Sequence, residues 1–248
     1  MDGLTAVHFH IYSFILKLEN HVGGYPFHSE YFVVRYKQSR YRYKLCMGDK
    51  FMDYLQIRTN FERHGFTTQL FSTKEEACCY LADVLQHQTI GFGGSETLKE
   101  MDLFEVLQQK NVVVWHNKIP GYPVRKLANC ADIYITSANA ITKTGEIVNI
   151  DATGNRVAMT AFGPQICYYV IGKNKITENI SDAYSRCKNI AAPLNARRLG
   201  AKTPCAVKGD KCYDCNSPNR ICRIISIIER VPMSMKCEII FIDEDLGF

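Results

Sequence analysis

The sequence lacks a long apolar run. It has no stretch of about eighteen consecutive apolar residues, the length that a membrane-spanning helix requires. The N-terminal stretch MDGLTAVHFHIYSFILKLENH contains an apolar patch from Phe9 to Leu18, but His10 and Lys17 interrupt or end it. The patch is not preceded by a basic segment or followed by a clear small-residue cleavage site. We therefore expect neither a membrane span nor a signal peptide.

The sequence also lacks a basic run that dominates its charge. The formal net charge is +5, and 22% of the residues are charged. Nucleic-acid binding is not expected from a charge of this size. The stretch RYKQSRYRYK, residues 35–44, interleaves aromatic and basic side chains and could bind a nucleic-acid backbone. The same composition is common on exposed edge strands, and this is our interpretation of it.

A complete set of intrachain disulfides is excluded, because the chain has eleven cysteines, an odd number. Without an export signal we expect a cytoplasmic protein whose cysteines are reduced thiols or metal ligands. The cysteines outside the C-terminal cluster, such as Cys78 and Cys167, lie in helix and strand patterns. They are predicted to be small buried hydrophobic residues.

Four cysteines are concentrated in residues 203–222, TPCAVKGDKCYDCNSPNRIC, with the spacing C-x6-C-x2-C-x6-C. The predicted ligands are Cys205, Cys212, Cys215 and Cys222. The central CxxC lets two thiolates reach one metal from a single turn. Four thiolates suit an iron–sulfur cluster or, as the alternative, structural zinc. Free thiols or a redox-active pair are the third interpretation.

From Met47 onward, helix and strand patterns alternate. Strands are predicted at 66–71, 89–94, 111–115, 131–137, 146–151, 165–172, 224–229 and 237–243. Four helices are predicted. The first ends at Gly65, and the second runs from a Ser72–Glu75 capping box to Leu85. The third starts at an N-cap Ser95, and the fourth spans 180–191 with Ser181 near its cap. Strands that are continuously apolar and alternate with helices predict an α/β fold with a largely parallel sheet.

A glycine turn, GFGGSETL at residues 91–98, joins a predicted strand to a predicted helix. Backbone N–H groups at such a turn can bind an anion, and the predicted residues are Gly93, Gly94, Ser95 and Thr97. A dinucleotide fingerprint would need glycine at position 96, where Glu96 stands, and the Gly-Lys-Ser/Thr of a nucleotide-binding P-loop is absent. NAD binding and ATP hydrolysis are therefore disfavoured. The alternative is a tight turn without a ligand.

Polar side chains follow three further predicted strands, in TSANAITKTGEIVNIDATGNR (136–156) and GKNK (172–175). Loop composition explains part of this pattern. Polar groups at successive strand ends also predict a pocket that holds a carboxylate or phosphate. The predicted binding residues are Ser137, Asn139, Asp151, Asn155, Arg156, Asn174 and Lys175. These stretches show no obvious nucleophile–base pair, and they contain no histidine that would support a Ser-His-Asp triad.

Together these motifs resemble the LUD-domain family, named for lactate utilization. The resemblance is carried by GFGGSETLKEMDLFEVL, ITSANAITKTGEIVNIDATGNRVAMTAFGP, VIGKNKI, AAPLNARRL, the four-cysteine segment and EDLGF. It covers residues 47–248 and implies a NagB/RpiA/CoA-transferase-like α/β domain that includes the cysteine-rich loop 203–222. Residues 1–46 have no counterpart and are interpreted as an N-terminal extension of unknown role.

The resemblance implies a pathway rather than a reaction. One branch of the family belongs to a bacterial iron–sulfur system that oxidises L-lactate to pyruvate. We therefore expect a role in lactate or organic-acid utilization, with iron–sulfur redox proteins as partners and a small anionic metabolite as ligand. One alternative is a non-catalytic metabolite-binding or regulatory module. Another is an acyl- or CoA-transferring enzyme, for which Glu96 or Asp151 would supply the nucleophilic carboxylate.

Overall fold

A six-stranded sheet with parallel pairings organises the fold in the computed structural model, which describes residues 49–119 and 121–248. The strands of the described chain are β1 Thr67–Phe71, β2 Thr89–Phe92, β3 Val112–Val114, β4 Ile133–Thr136, β5 Ala140–Thr142, β6 Ile147–Asp151, β7 Ile166–Gly172, β8 Ile176–Thr177, β9 Ile224–Ile228 and β10 Lys236–Ile242. The large sheet has the order β1-β10-β7-β4-β2-β3, and its neighbouring strands are parallel. The predicted α/β fold with a largely parallel sheet is confirmed.

A second, smaller sheet was not predicted. Its order is β8-β5-β6-β9, with antiparallel pairs β5–β6 and β6–β9 and a parallel pair β5–β8. The apolar runs at 146–151 and 224–229 are therefore strands, as expected, but they pair with each other here and not in the parallel sheet. Both sheets belong to one compact unit that extends from Asp53 to Phe248.

Helices connect the parallel strands, as a parallel sheet requires. They are α1 Asp49–Arg63, α2 Lys74–Val84, α3 Glu96–Glu100, α4 Leu103–Leu107, α5 Tyr122–Ala128, α6 Asn155–Ala161, α7 Ile180–Arg186, α8 Ala192–Arg198 and α9 Pro204–Lys208. A 3-10 turn, Lys173–Lys175, follows β7, and a π-helical turn, Cys187–Ala191, joins α7 to α8. No helix of the described residues is long and apolar enough to cross a membrane.

Three predicted helix boundaries differ in the structure. The helix expected to start after Ser95 is broken at Asp102, whose φ of 49° is left-handed, so α3 and α4 are short. The Ser95 cap itself is confirmed, because its side chain accepts a hydrogen bond from the Leu98 N–H at 3.3 Å. α2 is capped by Thr73 and not by Ser72. α7 is capped by Asn179, and its helical path continues beyond residue 191 to Arg198.

The core confirms part of the cysteine prediction. Cys78, Cys167, Cys187 and Cys237 are buried, and burial raises the pKa of their thiols. The prediction is wrong for Cys79 and Cys130, which are exposed. The stretch at residues 35–44 and the proposed extension 1–46 lie outside the described residues.

Candidate functional site

A cavity of about 270 Å³ opens where β2, β3, β4 and β7 end. Parallel strands end at the same edge of a sheet, which is where α/β proteins usually bind ligands. The loops that follow these strands contribute Gly94, His116, Ser137 and Lys175 to the lining. α8 and the residues around the start of α6 form further parts of the wall. The predicted pocket at the strand ends is therefore present in the fold.

The cavity brings together most of the predicted binding residues. Those that line it are Gly94, Ser95, Ser137, Asn139, Asp151, Asn155, Arg156 and Lys175. Gly93, Thr97 and Asn174 are not among the lining residues. Thr97 contacts Lys175, and the Asn174 side-chain amide is occupied by the backbone of Leu246 and Gly247.

Lys175 is the most unusual titratable group of the cavity. Its side chain is only 3% exposed, and its Nζ lies 2.6 Å from Thr97 Oγ1 and 2.8 Å from Ser137 Oγ. Burial, reinforced by the positive charges of Arg186 and Arg156, lowers the pKa of Lys175 to about 7. A buried amine of this kind is partly neutral at physiological pH, which is typical of functional sites.

Asp151 and Arg156 line the cavity next to each other. The Asp151 carboxylate accepts hydrogen bonds from the N–H groups of Ala152 and Arg156, each at 3.0 Å, and so fixes the start of α6. Arg156 Nε lies 3.7 Å from Asp151 Oδ1, and its Nη2 donates to Asn139 Oδ1 at 3.3 Å and to the Ile150 carbonyl at 2.6 Å. Arg156 is therefore held in place before any ligand binds.

Glu96 lines the cavity and is paired with two cations. Its Oε1 lies 3.1 Å from Arg198 Nη1, and its Oε2 lies 3.6 Å from Lys99 Nζ. The two carboxylates considered as nucleophiles, Glu96 and Asp151, are thus both engaged in ion pairs. Ion pairing stabilises a carboxylate and makes it a weaker nucleophile.

Positive charge exceeds negative charge around the cavity. Four basic side chains line it, Arg125, Arg156, Lys175 and Arg198, against the carboxylates of Glu96 and Asp151. A concave site with this balance attracts anions. Sequence reasoning missed Arg125 and Arg198, because both lie on helices without a local signal of binding.

His116 is a further residue that sequence reasoning missed. It follows β3 at the same sheet edge, and its buried Nδ1 has no hydrogen-bond partner within the described chain. Burial lowers the pKa of His116, and the nearby Arg125 and Arg156 lower it further. The ring is therefore a neutral hydrogen-bonding group at the cavity wall. The sequence feature that could have identified His116 is its position directly after the apolar run NVVVW.

The glycine turn allows close packing of the backbone, and its Gly93 backbone groups are already hydrogen-bonded within the protein. The Gly93 N–H donates to the Ile135 carbonyl at 3.0 Å, and the Gly93 carbonyl accepts from Trp115 Nε1 at 3.0 Å. A Cβ at Gly93 would lie 2.6 Å from Thr136 Oγ1, so glycine is needed for close packing against β4. Because α3 is short and Ser95 is used as its cap, the positive charge of the cavity comes from its basic side chains.

The four predicted metal ligands lie on α9 and the irregular segment 209–223. Four thiols match the donor set of zinc or an iron–sulfur cluster. In the described residues, however, no three His, Cys, Asp or Glu side chains are grouped closely enough to hold a metal ion. Cys205 contacts Thr203 Oγ1 at 3.3 Å, and Cys212 accepts a hydrogen bond from the Asp214 N–H at 3.3 Å. Binding by all four thiols would require this segment to rearrange, and the cofactor stays a prediction.

One comparison with known proteins agrees with the family resemblance. The family model of the LUD domain matches residues 54–242. Among solved structures, the chain matches that of a DUF162-family protein from Deinococcus radiodurans with 12% sequence identity and a TM-score of 0.47. That match covers 79% of this chain and 99% of the other. A comparison with curated proteins gave no match.

Proposed function

The chain belongs to the LUD-domain family, and from this premise we propose that it binds a small organic acid, such as lactate or pyruvate, in the cationic cavity and takes part in organic-acid oxidation. The observation that supports the proposal is the charge of the cavity. Its lining carries four basic side chains against two carboxylates. The carboxylates pair with Arg156 and Arg198, so the excess positive charge comes from Arg125 and from the protonated form of Lys175. A ligand carboxylate would offset this excess.

Arg156 and Arg198 are the residues proposed to hold the carboxylate. Arg156 is fixed by Asp151 and Asn139, and Arg198 is fixed by Glu96. A guanidinium group that is held in place loses less side-chain freedom when it binds. The cavity volume of about 270 Å³ suits a small metabolite.

Iron–sulfur redox proteins are the proposed partners. Oxidation of lactate to pyruvate releases an electron pair, and in this proposal the pair passes to those partners. The protein would work in the cytoplasm, where its cysteines stay reduced. Residues 47–248 would act as the LUD domain, and residues 1–46 would extend it.

The binding step is tested by calorimetric titration of the full chain with L-lactate and with pyruvate. Wild-type protein is expected to bind at least one of them, and Arg198→Gln is expected to weaken binding about tenfold, as loss of a charge-assisted hydrogen bond does. The matched control is Arg230→Gln, an exposed arginine outside the cavity lining. Absence of binding heat with both acids, or equal affinity in all three proteins, would contradict the proposal.

A non-catalytic binding module predicts the same binding but a different result in the pathway. The two cases are separated by lactate-dependent dye reduction in lysates of source cells with and without the gene. A role in oxidation requires dye reduction to fall when the gene is absent and to return when purified protein is added. Unchanged dye reduction supports the binding module.

A further inference from the structure

Lys175 and Ser137 form a pair that anion binding alone does not require. Lys175 Nζ lies 2.8 Å from Ser137 Oγ, both residues line the cavity, and each is only 3% exposed. Within the described residues Lys175 makes no ion pair of 4.0 Å or less with a carboxylate. A buried lysine that only contacts hydroxyl groups is costly to keep charged.

The hydrogen bonds around this pair indicate where the protons lie. The Thr97 hydroxyl donates to the Leu246 carbonyl at 3.1 Å, so its oxygen accepts from Lys175 at 2.6 Å. When Lys175 is neutral, its lone pair is then free to accept the proton of the Ser137 hydroxyl. The other acceptor near Ser137 Oγ, the Ala138 carbonyl, is farther away at 3.4 Å.

We propose that Ser137 is a nucleophile and Lys175 its general base, and that together they transfer the acyl group of an ester or thioester. This places the nucleophile on a serine and not on Glu96 or Asp151, which are ion-paired. A nucleophile and a base within hydrogen-bond distance in a cavity are the usual arrangement for covalent catalysis by serine.

The proposed step conserves atoms and charge. Lys175 Nζ takes the Ser137 hydroxyl proton while a bond forms between Ser137 Oγ and the acyl carbon. The bond from the acyl carbon to the leaving alcohol or thiol breaks, and the Lys175 ammonium returns the proton to that leaving group. Water then attacks the acyl carbon while Lys175 accepts a proton from the water. The bond from the acyl carbon to Ser137 Oγ breaks, and the Lys175 ammonium returns the proton to Oγ, which regenerates the serine and the neutral amine. The products are a carboxylic acid and an alcohol or thiol.

The substrate class is inferred from the positive charge of the cavity. This part of the inference rests on the proposed function. The acyl group is expected to carry a carboxylate, which the basic lining would hold beside Ser137.

The test uses the full chain with para-nitrophenyl hemisuccinate as the anionic probe and para-nitrophenyl acetate as the neutral probe. Nitrophenolate release gives the acylation rate, and intact-protein and peptide mass spectrometry locate the acyl group. The expected result is a succinyl adduct on Ser137 that Ser137→Ala abolishes. Ser137→Ala removes one oxygen atom and is expected to fold. Ser185→Ala, an exposed serine on α7, serves as the matched control and should acylate at the wild-type rate.

Lys175→Met tests the base. It is expected to slow acylation of Ser137 about 100-fold, the lower end of general-base effects. Lys173→Met, an exposed lysine two positions earlier, is the matched control and should retain the wild-type rate. If Lys175→Met fails to fold, the pH dependence of the wild-type protein provides a second measurement.

The acylation rate should rise with pH and level off above about 7, because burial lowers the Lys175 pKa to about 7. The charged groups around Lys175 are Arg186 and Arg156, which lower its pKa, and Glu100, which raises it, while the Cys187 thiol stays neutral. His116 also lines the cavity. His116→Gln should therefore retain the inflection, if it belongs to Lys175.

The outcomes separate this inference from the proposed function. Absence of a Ser137 adduct, an adduct on Lys175 instead, or an acylation rate independent of Lys175 would overturn the nucleophile–base pair, even if lactate or pyruvate binds. If the acetate ester acylates Ser137 as fast as the hemisuccinate ester does, the nucleophile–base pair is supported but the anionic substrate class is contradicted.

Discussion

Asn174 and Gly247 are joined by a hydrogen bond, in which Asn174 Nδ2 donates to the Gly247 carbonyl at 3.0 Å. The same side chain accepts from the Leu246 N–H through Oδ1 at 3.1 Å. Leu246 in turn supplies the carbonyl that accepts the Thr97 hydroxyl, and Phe248 lines the cavity. Asn174 therefore positions a segment that touches both the cavity and the partner of Lys175.

Asn174→Ala is expected to destabilise the protein by about 1–3 kcal/mol, because it leaves a backbone donor and acceptor without their partner. The free energy of unfolding from denaturant titration measures this. Anion affinity should fall as well, since the wall formed by Phe248 loses its support. Asn219→Ala, at an exposed position, is the control and should change stability by no more than about 0.5 kcal/mol. Equal stability of the two variants would show that this tether contributes little.

Gly247→Ala should destabilise the protein more than Gly200→Ala. Both glycines have a left-handed φ, 62° at Gly247 and 64° at Gly200, so the backbone strain of the substitution is similar. A Cβ at Gly247 would lie 2.5 Å from Thr97 Oγ1 and 2.8 Å from Thr97 N, whereas a Cβ at Gly200 meets no atom within 4 Å. We expect an additional loss of about 1–3 kcal/mol at Gly247 from the forced shift of Thr97.

Equilibrium unfolding of both variants provides the comparison. A difference close to zero would mean that the segment around Gly247 moves away from Thr97 without cost.

The stability contribution of Lys175 should increase with pH. Its pKa in the folded protein is lowered to about 7, whereas an unfolded lysine titrates near 10.5. Between these values the unfolded chain binds a proton that the folded protein has released, so the free energy of unfolding rises with pH. The slope from this one group approaches about 1.4 kcal/mol per pH unit between about pH 8 and 10.

Other groups, among them the buried thiols, titrate in the same range and act in the opposite direction. The measurement is therefore the difference in unfolding free energy between the wild type and Lys175→Met at several pH values. That difference should grow in favour of the wild type as pH rises, and the corresponding difference for Lys173→Met should stay flat. A flat difference for Lys175→Met would mean that its amine stays charged when buried.

The four-cysteine segment is expected to bind an iron–sulfur cluster. Protein purified without oxygen should contain iron and sulfide and show a broad absorbance near about 400 nm. Both signals should disappear in Cys212→Ser. They should persist in Cys130→Ser, which alters an exposed cysteine outside the segment. Stoichiometric zinc without colour would identify a structural site instead, and absence of any metal would leave the thiols free.

Much of the cavity could be predicted because buried parallel strands appear in sequence as apolar runs. Ser137 follows β4 and Lys175 follows β7, and these two strands are neighbours in the sheet. Strand-end reasoning therefore placed both residues at one edge. It did not reveal the contact between them, which depends on strand register and on the 3-10 turn that carries Lys175.

The features that escaped prediction are short or depend on distant contacts. β5 and β8 have three and two residues, too few for a periodic pattern, so the second sheet was not visible. Arg198 reaches the cavity because the helical path continues through a π-helical turn beyond residue 191. Such turns lack a simple sequence signal, although they are frequent at functional sites.

The position of β10 bears on how the protein is made. β10 lies between β1 and β7 in the sheet, although it is the last strand in the described chain order. During synthesis the sheet cannot close until residues 236–242 have left the ribosome. Until then β7 has an unpaired edge, and β1 lacks β10, the strand with which it pairs in the folded chain. The nascent protein therefore carries an unpaired β1 edge, and later an unpaired β7 edge, until residue 242 has been made, and such edges can pair with other chains.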